Sequence, residues 1–371
     1  MSFLFLATML GLSIWVIILF LPFQSYRVNE SLETEITKEN LDDVTVLIPA
    51  RNEAQTIKKT LASLKMQHND LKVILVDDQS TDSTVKEAKS IKLHNLSIIT
   101  GTKLPSGWSG KLWALEQGRK YIKTEFLLLL DADIILEPGL IGKILFKAKQ
   151  ADIKLLSLMA HYRMISLWEK LLMPAYVFFF KLLYPFSLSN LPNSRIAAAA
   201  GGCILLETEV LRKLGGFEPI KNALIDDCML ARKFKKNGHK TWIGLTHSAI
   251  STRQYEKFSE ISQLVTRTAY TQLRYSPILL LICMLIMSIA FIIPLIAILQ
   301  DGSMMLMGLA TFFIQIICYF PILKYYSMNP LYALSLSFIG ILYMLFTLNS
   351  SYHYYFNKGA CLLYTSPSPR D

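Results

Sequence analysis

An α/β domain with a Rossmann-like, mostly parallel sheet, joined to α-helical transmembrane segments, is the fold class this 371-residue chain predicts. Three observations carry that expectation. Long, almost uncharged apolar runs stand at both ends of the chain; the stretch from about residue 30 to 155 has the charge density of a soluble domain; and within it short β-branched runs alternate with helical patterns. Hydrophobic residues make up 52% of the whole, too many for an ordinary soluble domain of this length.

Residues 1–23 are long enough to cross a hydrocarbon core of about 30 Å and form an expected transmembrane anchor. No basic residue precedes the run and no small-residue cleavage site follows it, which argues against a signal peptide. Residues 278–348 contain three further apolar runs, near Ile278 to Leu299, Met304 to Leu323 and Leu331 to Leu348, expected as three transmembrane helices. Basic residues flank them unevenly. Lys257, Arg267 and Arg274 precede the first of the three, Asp301 alone sits in the next loop, and Lys324 lies in the one after. Cytoplasmic loops carry the excess of Lys and Arg, so the domain is expected on the cytoplasmic face of the cell (inner) membrane in a multi-pass protein. Lys358 runs against this pattern. The net charge of +10 gathers beside the apolar helices, where anionic lipid headgroups are the simpler partner, and nucleic acid is not expected.

None of the five cysteines forms a CxxC pair or has a histidine at zinc spacing, so reduced thiols are expected. Residues 359–371 switch to a Ser/Pro composition and read as a non-native tail, with a natural disordered tail as the alternative.

Residues 40–255 form the expected α/β domain. Candidate strands are Val44 to Ile48, Lys72 to Val76, Leu96 to Thr100 and Phe126 to Leu130; between the first two, Ala54, Ile57, Leu61 and Leu64 recur at helical spacing. No GxGxxG follows the first strand, which disfavours a dinucleotide site. In open parallel sheets the ligand sits beyond the carboxyl ends of the strands, and every conspicuous polar cluster falls there. The first strand runs into Pro49-Ala50-Arg51-Asn52-Glu53, the second into Asp77-Asp78-Gln79-Ser80-Thr81-Asp82, the fourth into Asp131-Ala132-Asp133. Helix capping is the competing reading for Ser80 and Asp82. Residues i and i+2 of an extended segment point the same way, so Asp131 and Asp133 are expected to address one cation. Carboxylates without His or Cys select a divalent metal of the magnesium or manganese class, which completes its shell with phosphate oxygens.

VLIPARNEA, VDDQSTDST and LLLLDADIILEPG resemble the three donor-side motifs of GT-A family 2 glycosyltransferases. The resemblance implies that Asp77 or Asp78 holds the nucleobase, that Asp133, with Asp131 beside it, is the metal ligand, and that Pro49, Arg51 and Glu53 line the nucleotide pocket. A buried strand-end residue satisfied by backbone amides is the alternative for Asp77. Gly107-Trp108-Ser109-Gly110-Lys111 opens a helical stretch, where backbone amides and Lys111 attract a phosphate. GWSGKLWALEQG is similar to the corresponding segment of hopene-associated glycosyltransferases.

Downstream, AAAAGGCILLETEVLRKLGGF reads as a glycine turn, a strand, a helix and a second glycine turn; by resemblance it lines the acceptor side, with Gly201 and Gly202 permitting close approach. Asp226 and Asp227 occupy the place of the family's acidic pair, whose second member is the general base. Residues 166–191, apolar but broken by Pro174, Lys181 and Pro185, read as an interfacial segment on the membrane, with a buried core helix as the alternative. Residues 256–276 form an expected juxtamembrane basic helix on which Arg267 and Arg274 share a face, for a diphosphate on the acceptor side or for lipid phosphates. The QxxRW of processive synthases is missing, which favours a single transfer.

The resemblance implies an inverting hexosyltransferase moving a sugar from a nucleotide-sugar donor to a lipid acceptor, a hopanoid or other isoprenoid by the name of the group. Carotenoid, sphingolipid and glycerolipid acceptors stay open. So does a different class, a membrane nucleotide-binding sensor or transport protein without transferase activity.

Overall fold

The computed structural model describes residues 2–34, 39–68 and 70–356. Lys358 and the tail 359–371 lie outside them. The chain divides into a helical unit, comprising residues 2–29, Met164–Pro185 and 255–356, and an α/β unit, comprising Glu30–Arg163 and Phe186–Gln254.

The helical unit holds α1 (Phe3–Phe20), α6 (Leu167–Leu183), α10 (Phe258–Gln272), α11 (Pro277–Met287), α12 (Ile293–Ile298), α13 (Ser303–Tyr325) and α14 (Leu336–Phe356). Four stretches are long and apolar enough to cross a membrane: Phe3–Phe20, Pro277–Ile298, Ser303–Tyr325 and Pro330–Phe356. They coincide with the four expected spans. Between α11 and α12 the helix passes through one π turn, Ser288–Ile292. The cause is local: Pro294 has no N–H to give the carbonyl of Ala290, four residues back. That carbonyl instead accepts Trp15 Nε1 at 3.0 Å and Gln315 Nε2 at 3.0 Å, while Ser337 Oγ donates to Gln315 Oε1 at 2.5 Å. Gly11 passes the same turn so closely that a Cβ there would lie 2.6 Å from the Ile289 carbonyl oxygen.

Helix α6 opens with a capping box. Glu169, fully buried, accepts the backbone N–H groups of Ile165 at 3.0 Å, Ser166 at 2.9 Å and Tyr255 at 2.9 Å. The expected segment 166–191 is thus divided: α6, with Pro174 inside it, belongs to the helical unit, whereas the short helix after Pro185 belongs to the α/β unit. Arg267 and Arg274 do not share a helix face. Helix α10 ends at Gln272, and Arg274 lies in the turn beyond it at φ +53°, exposed.

The α/β unit is one eight-stranded sheet of β1 (Val44–Ala50), β2 (Lys72–Asp77), β3 (Leu96–Thr100), β4 (Phe126–Leu130), β5 (Ile134–Leu136), β6 (Leu155–His161), β7 (Cys203–Glu207) and β8 (Thr241–Ser251) in the order β3-β2-β1-β4-β7-β6-β8-β5. Strands β1 to β4 are mutually parallel and β7 is antiparallel to both neighbours, so the sheet is mixed but mostly parallel. The helices are α2 (Ile57–Gln67), α3 (Thr84–Ser90), α4 (Gly110–Arg119), α5 (Leu140–Ala151), α7 (Phe186–Asn190), α8 (Thr208–Lys213) and α9 (Asp226–Lys236).

Side chains alternate between two cores, as the period of two requires. Val44, Val46 and Ile48 of β1 and Phe126, Leu128 and Leu130 of β4 pack on the face covered by α2, α3 and α5. Leu47, Leu127 and Leu129 pack on the opposite face, under α4, α8 and α9. A strand buried on both sides needs a continuous apolar run, and FLLLL is one. Because β2 and β3 lie to one side of β1 and β4 to the other, the strand order reverses between β1 and β4. The carboxyl ends of those two strands are where a ligand crevice opens.

Candidate active site

The crevice is built as the alternation dictates. Asp131 follows β4 in step with Leu127 and Leu129, so its carboxylate emerges on the face of α4 and α9. There Lys111 Nζ, from the first turn of α4, meets Asp131 Oδ1 at 2.7 Å. A cleft opens at this point, its polar lining Lys111, Asp131, Asp226 and Asp227 beside Pro49 and Gly201, over an apolar floor that includes Leu115, Ile204 and Phe217. Gly201 eases this approach: a Cβ would lie 3.2 Å from Lys111 Nζ and 3.4 Å from Asp227 Oδ2. Gly202 faces away, where a Cβ would meet the Ile134 side chain at 3.3 Å. Its absent side chain serves packing.

Asp226 and Asp227 form the first turn of α9, and the N-cap is Ile225. Neither aspartate is a cap. Their charges lie at the positive end of the helix dipole, and Asp227 Oδ1 accepts the Cys228 N–H at 2.7 Å. Asp227 keeps some accessible surface, which faces the cleft, but lies deep in the protein. Burial first, and the neighbouring Asp226 charge second, push its carboxyl up from 3.8 to about 7, against the Cys228 hydrogen bond and Lys111. A carboxyl poised near neutrality in a cleft is suited to proton transfer.

At the end of β2, Asp77 and Asp78 are both buried, at 7% and 9% exposure. Arg51 approaches Asp78 at 3.9 Å. Asp77 Oδ1 has no hydrogen-bond partner, an unusual condition for a buried carboxylate. Satisfaction by backbone amides, the alternative for Asp77, therefore does not hold for this oxygen. Ser80 and Asp82 brace the two loops: Ser80 Oγ accepts the Asn52 N–H at 3.0 Å, while Asp82 accepts from Ala54 at 3.1 Å and from Thr84 N at 2.9 Å.

The expectation that Asp131 and Asp133 point the same way is corrected. Strand β4 stops at Leu130 and the chain turns, with Ile134 N donating to Asp131 O at 3.1 Å, so the pair is not extended. Asp131 faces Lys111, whereas Asp133 Oδ2 accepts Ser251 Oγ at 3.1 Å and Arg253 Nε at 3.3 Å. Arg253 Nη2 reaches on to Glu53 Oε1 at 2.8 Å. Ser251 and Arg253 are absent from the sequence-based expectation, which contains no strand at Thr241–Ser251. Their signal is weak: a lone Arg after an apolar run marks nothing until β8 is known to end beside β4's turn.

Among the described residues, no three His, Cys, Asp or Glu side chains cluster as a metal cage. A magnesium-class ion does not need one, since it usually takes one or two carboxylates and fills its shell with phosphate and water. The donor set fits such an ion. Burial holds the Glu53 carboxyl above the ordinary carboxylate range, against the Arg253 charge and the Thr56 hydrogen bond, with the Asp133 charge adding a smaller upward push. Arg267 and Arg274 belong to the helical unit.

Residues 45–215 match the model of glycosyl transferase family 2. The 4,4'-diaponeurosporenoate glycosyltransferase of Staphylococcus haemolyticus is 34% identical over 98 residues, 26% of this chain and 25% of that protein. The poly-beta-1,6-N-acetyl-D-glucosamine synthase of Staphylococcus aureus is 29% identical over 126 residues, 33% of this chain and 30% of that one. The chain is thus aligned to only 25% to 30% of the length of these relatives. Among solved structures, the mannosyltransferase PcManGT of Pyrobaculum calidifontis, in complex with GDP-Man and Mn2+, superposes with a TM-score of 0.54 at 18% identity, covering 96% of each chain. That likeness bears on the fold, which is of the GT-A type. With the strand-end motifs in their expected places, the match marks residues 45–215 of this chain as a glycosyl transferase family 2 domain.

Proposed function

We propose that the chain is a membrane-bound, inverting glycosyltransferase that moves a sugar from a nucleotide-sugar donor to the hydroxyl of a lipid acceptor, with the α/β unit on the cytoplasmic face of the cell membrane. The observation that carries this reading is Asp227, a cleft-facing carboxyl held near neutrality beside Asp131 and Lys111. The four apolar spans support the membrane setting. The 4,4'-diaponeurosporenoate relative supports an apolar, isoprenoid-like acceptor, and a hopanoid is one member of that class.

In this reading Asp77 and Asp78 take the nucleobase, the unpartnered Asp77 Oδ1 accepting a base N–H. Asp133, with Glu53 beside it, holds a divalent cation whose bound charge offsets that of the leaving diphosphate. Lys111 adds a positive charge at the same edge. The acceptor oxygen attacks the anomeric carbon as the bond to the diphosphate breaks, and Asp227 takes the hydroxyl proton. A base acting on an external nucleophile implies one in-line displacement, so an α-linked donor yields a β-glycoside. The apolar α6 and Arg274, in the helical unit, are suited to a lipid surface and its phosphates.

The test is turnover. Purified protein with manganese, UDP- and GDP-sugars and a membrane lipid extract is expected to release nucleotide and form a glycolipid; binding without turnover across all donors would favour a sensor instead. Lipid profiles of cells with and without the gene name the acceptor by the glycolipid that disappears. A reporter fused after Lys221 should score as cytoplasmic and one after Gly302 as external. The reverse would remove access to cytoplasmic donor.

A further inference from the structure

One charged side chain of this edge, Arg253, is left without a role by the proposed mechanism. Arg253, two residues beyond β8, joins two acids from separate loops: its Nη2 lies 2.8 Å from Glu53 Oε1 and its Nε 3.3 Å from Asp133 Oδ2. All three side chains are largely withdrawn from water, at 17% exposure for Arg253 and 12% for each acid. The acids are held from behind. Thr56 Oγ1 donates to Glu53 Oε2 at 2.7 Å, and Ser251 Oγ to Asp133 Oδ2 at 3.1 Å. The backbone is fixed as well, since Thr252 gives both its N–H, at 2.8 Å, and its hydroxyl, at 2.9 Å, to the Asp133 carbonyl.

Two carboxylates this close and this dry repel, and a cation between them removes the penalty. A guanidinium cannot lose its proton, and its planar fork reaches two acids at once. It therefore supplies a permanent positive charge at the oxygens that a hard divalent cation would seek. A single carboxylate oxygen can accept from both, but two cations at one Asp133 carboxylate repel each other.

We propose that Arg253 is a positioning residue that stands in for the divalent cation at Asp133, so that the Arg253–Asp133 pair and cation binding oppose one another. This rests on the metal role proposed for Asp133. The guanidinium keeps the acids preformed while the donor is away, and withdraws toward Glu53 or the diphosphate when donor and cation enter together. Metal binding is then weak without nucleotide, and the two ligands favour each other.

Manganese(II) titration of the full-length protein in detergent, followed by the electron paramagnetic resonance signal of the free ion, tests this without turnover. Arg253→Gln is expected to bind manganese alone about tenfold more tightly than the unmodified protein, equivalent to about 1.4 kcal/mol. Arg253→Lys, which keeps the charge but cannot span both acids, should fall between them and covers the case in which Arg253→Gln folds poorly. Adding Asp133→Asn to Arg253→Gln should erase the gain. Unchanged or weaker manganese binding in both Arg253 variants overturns the inference, as does a gain that survives Asp133→Asn. The metal reading is scored separately, on the unmodified protein with UDP or GDP: manganese binding lost in Asp133→Asn keeps it even if the Arg253 variants fail. No binding in any sample removes both.

Discussion

Two buried polar clusters, one in each unit, are treated in opposite ways. In the helical unit the carbonyl exposed by Pro294 receives two donors, Trp15 and Gln315, and Gln315 is itself held by Ser337. Glu169 of the same unit accepts three backbone N–H groups. In the α/β unit Asp77 keeps a buried oxygen without a partner, and Asp227 is desolvated beside a second acid. A buried group that the chain satisfies serves architecture, because in hydrocarbon nothing else will satisfy it. Where the chain leaves a buried charge under-served, at the open end of a sheet, the missing partner is a ligand.

The comparison can be broken most sharply at Asp133. Asp133→Ala should abolish transfer while leaving the protein folded and membrane-bound, since metal and donor binding are lost together; near-normal turnover at saturating manganese would refute the ligand role. Next in size is Asp227→Asn, expected to lower turnover by about 10²- to 10⁴-fold with little change in the donor dissociation constant. Asp226→Asn should be milder. If Asp226→Asn is the dead enzyme and Asp227→Asn keeps more than about a tenth of its rate, the base is misassigned.

The pH profile sharpens the same contrast. Asp227 acts as a base only when ionised, so kcat/KM should rise about tenfold per pH unit below about 7 and level off above it. Asp226→Asn removes the second cause of the upward shift, and the inflection should move to lower pH. A profile that Asp226→Asn leaves in place would separate the inflection from this pair. Stability follows the opposite course. The native pKa of about 7 exceeds the ordinary 3.8, so the native state holds its proton more tightly, and the Asp227 contribution to stability declines as pH rises from about 4 to about 7.

The smallest effect belongs to the helical unit. Trp15→Phe keeps an aromatic ring but deletes the indole N–H and half of its bicycle, leaving Gln315 as the remaining donor of that pair to the Ala290 carbonyl. The lost hydrogen bond costs about 1 kcal/mol and the space left by the smaller ring about 1 to 2 kcal/mol more, read as a drop in the unfolding midpoint in detergent with turnover unchanged. A large loss of turnover would mean that this network is not purely architectural.

What is legible in the sequence follows from where each signal resides. The four apolar spans, the first four strands, the α4 start at Gly110 and the turns around Gly201 and Gly215 were readable, because length, period and turn chemistry are local properties of the chain. So was the strand-end position of Asp77, Asp78 and Asp131, and the helix-start position of Asp227. Strands β5, β6 and β8 were not read, since short apolar runs resemble buried helix segments until a neighbour pairs with them. The order of those strands also escaped local inference.

By itself, then, the sequence determined which residues are withdrawn from water, which lie at the ends of strands, and that the domain is flanked by membrane-length helices. Tertiary structure alone decided what each acid faces. A turn after Leu130 sends Asp131 toward Lys111 and Asp133 toward Arg253, instead of both toward one ion. It brought Arg253 to Glu53 across 200 residues and divided residues 166–191 between two units. It also ended α10 before Arg274. The physical reason is common to all four. Charge pairing and burial are set by distances in space, and a distance across the sheet is written in no short stretch of chain.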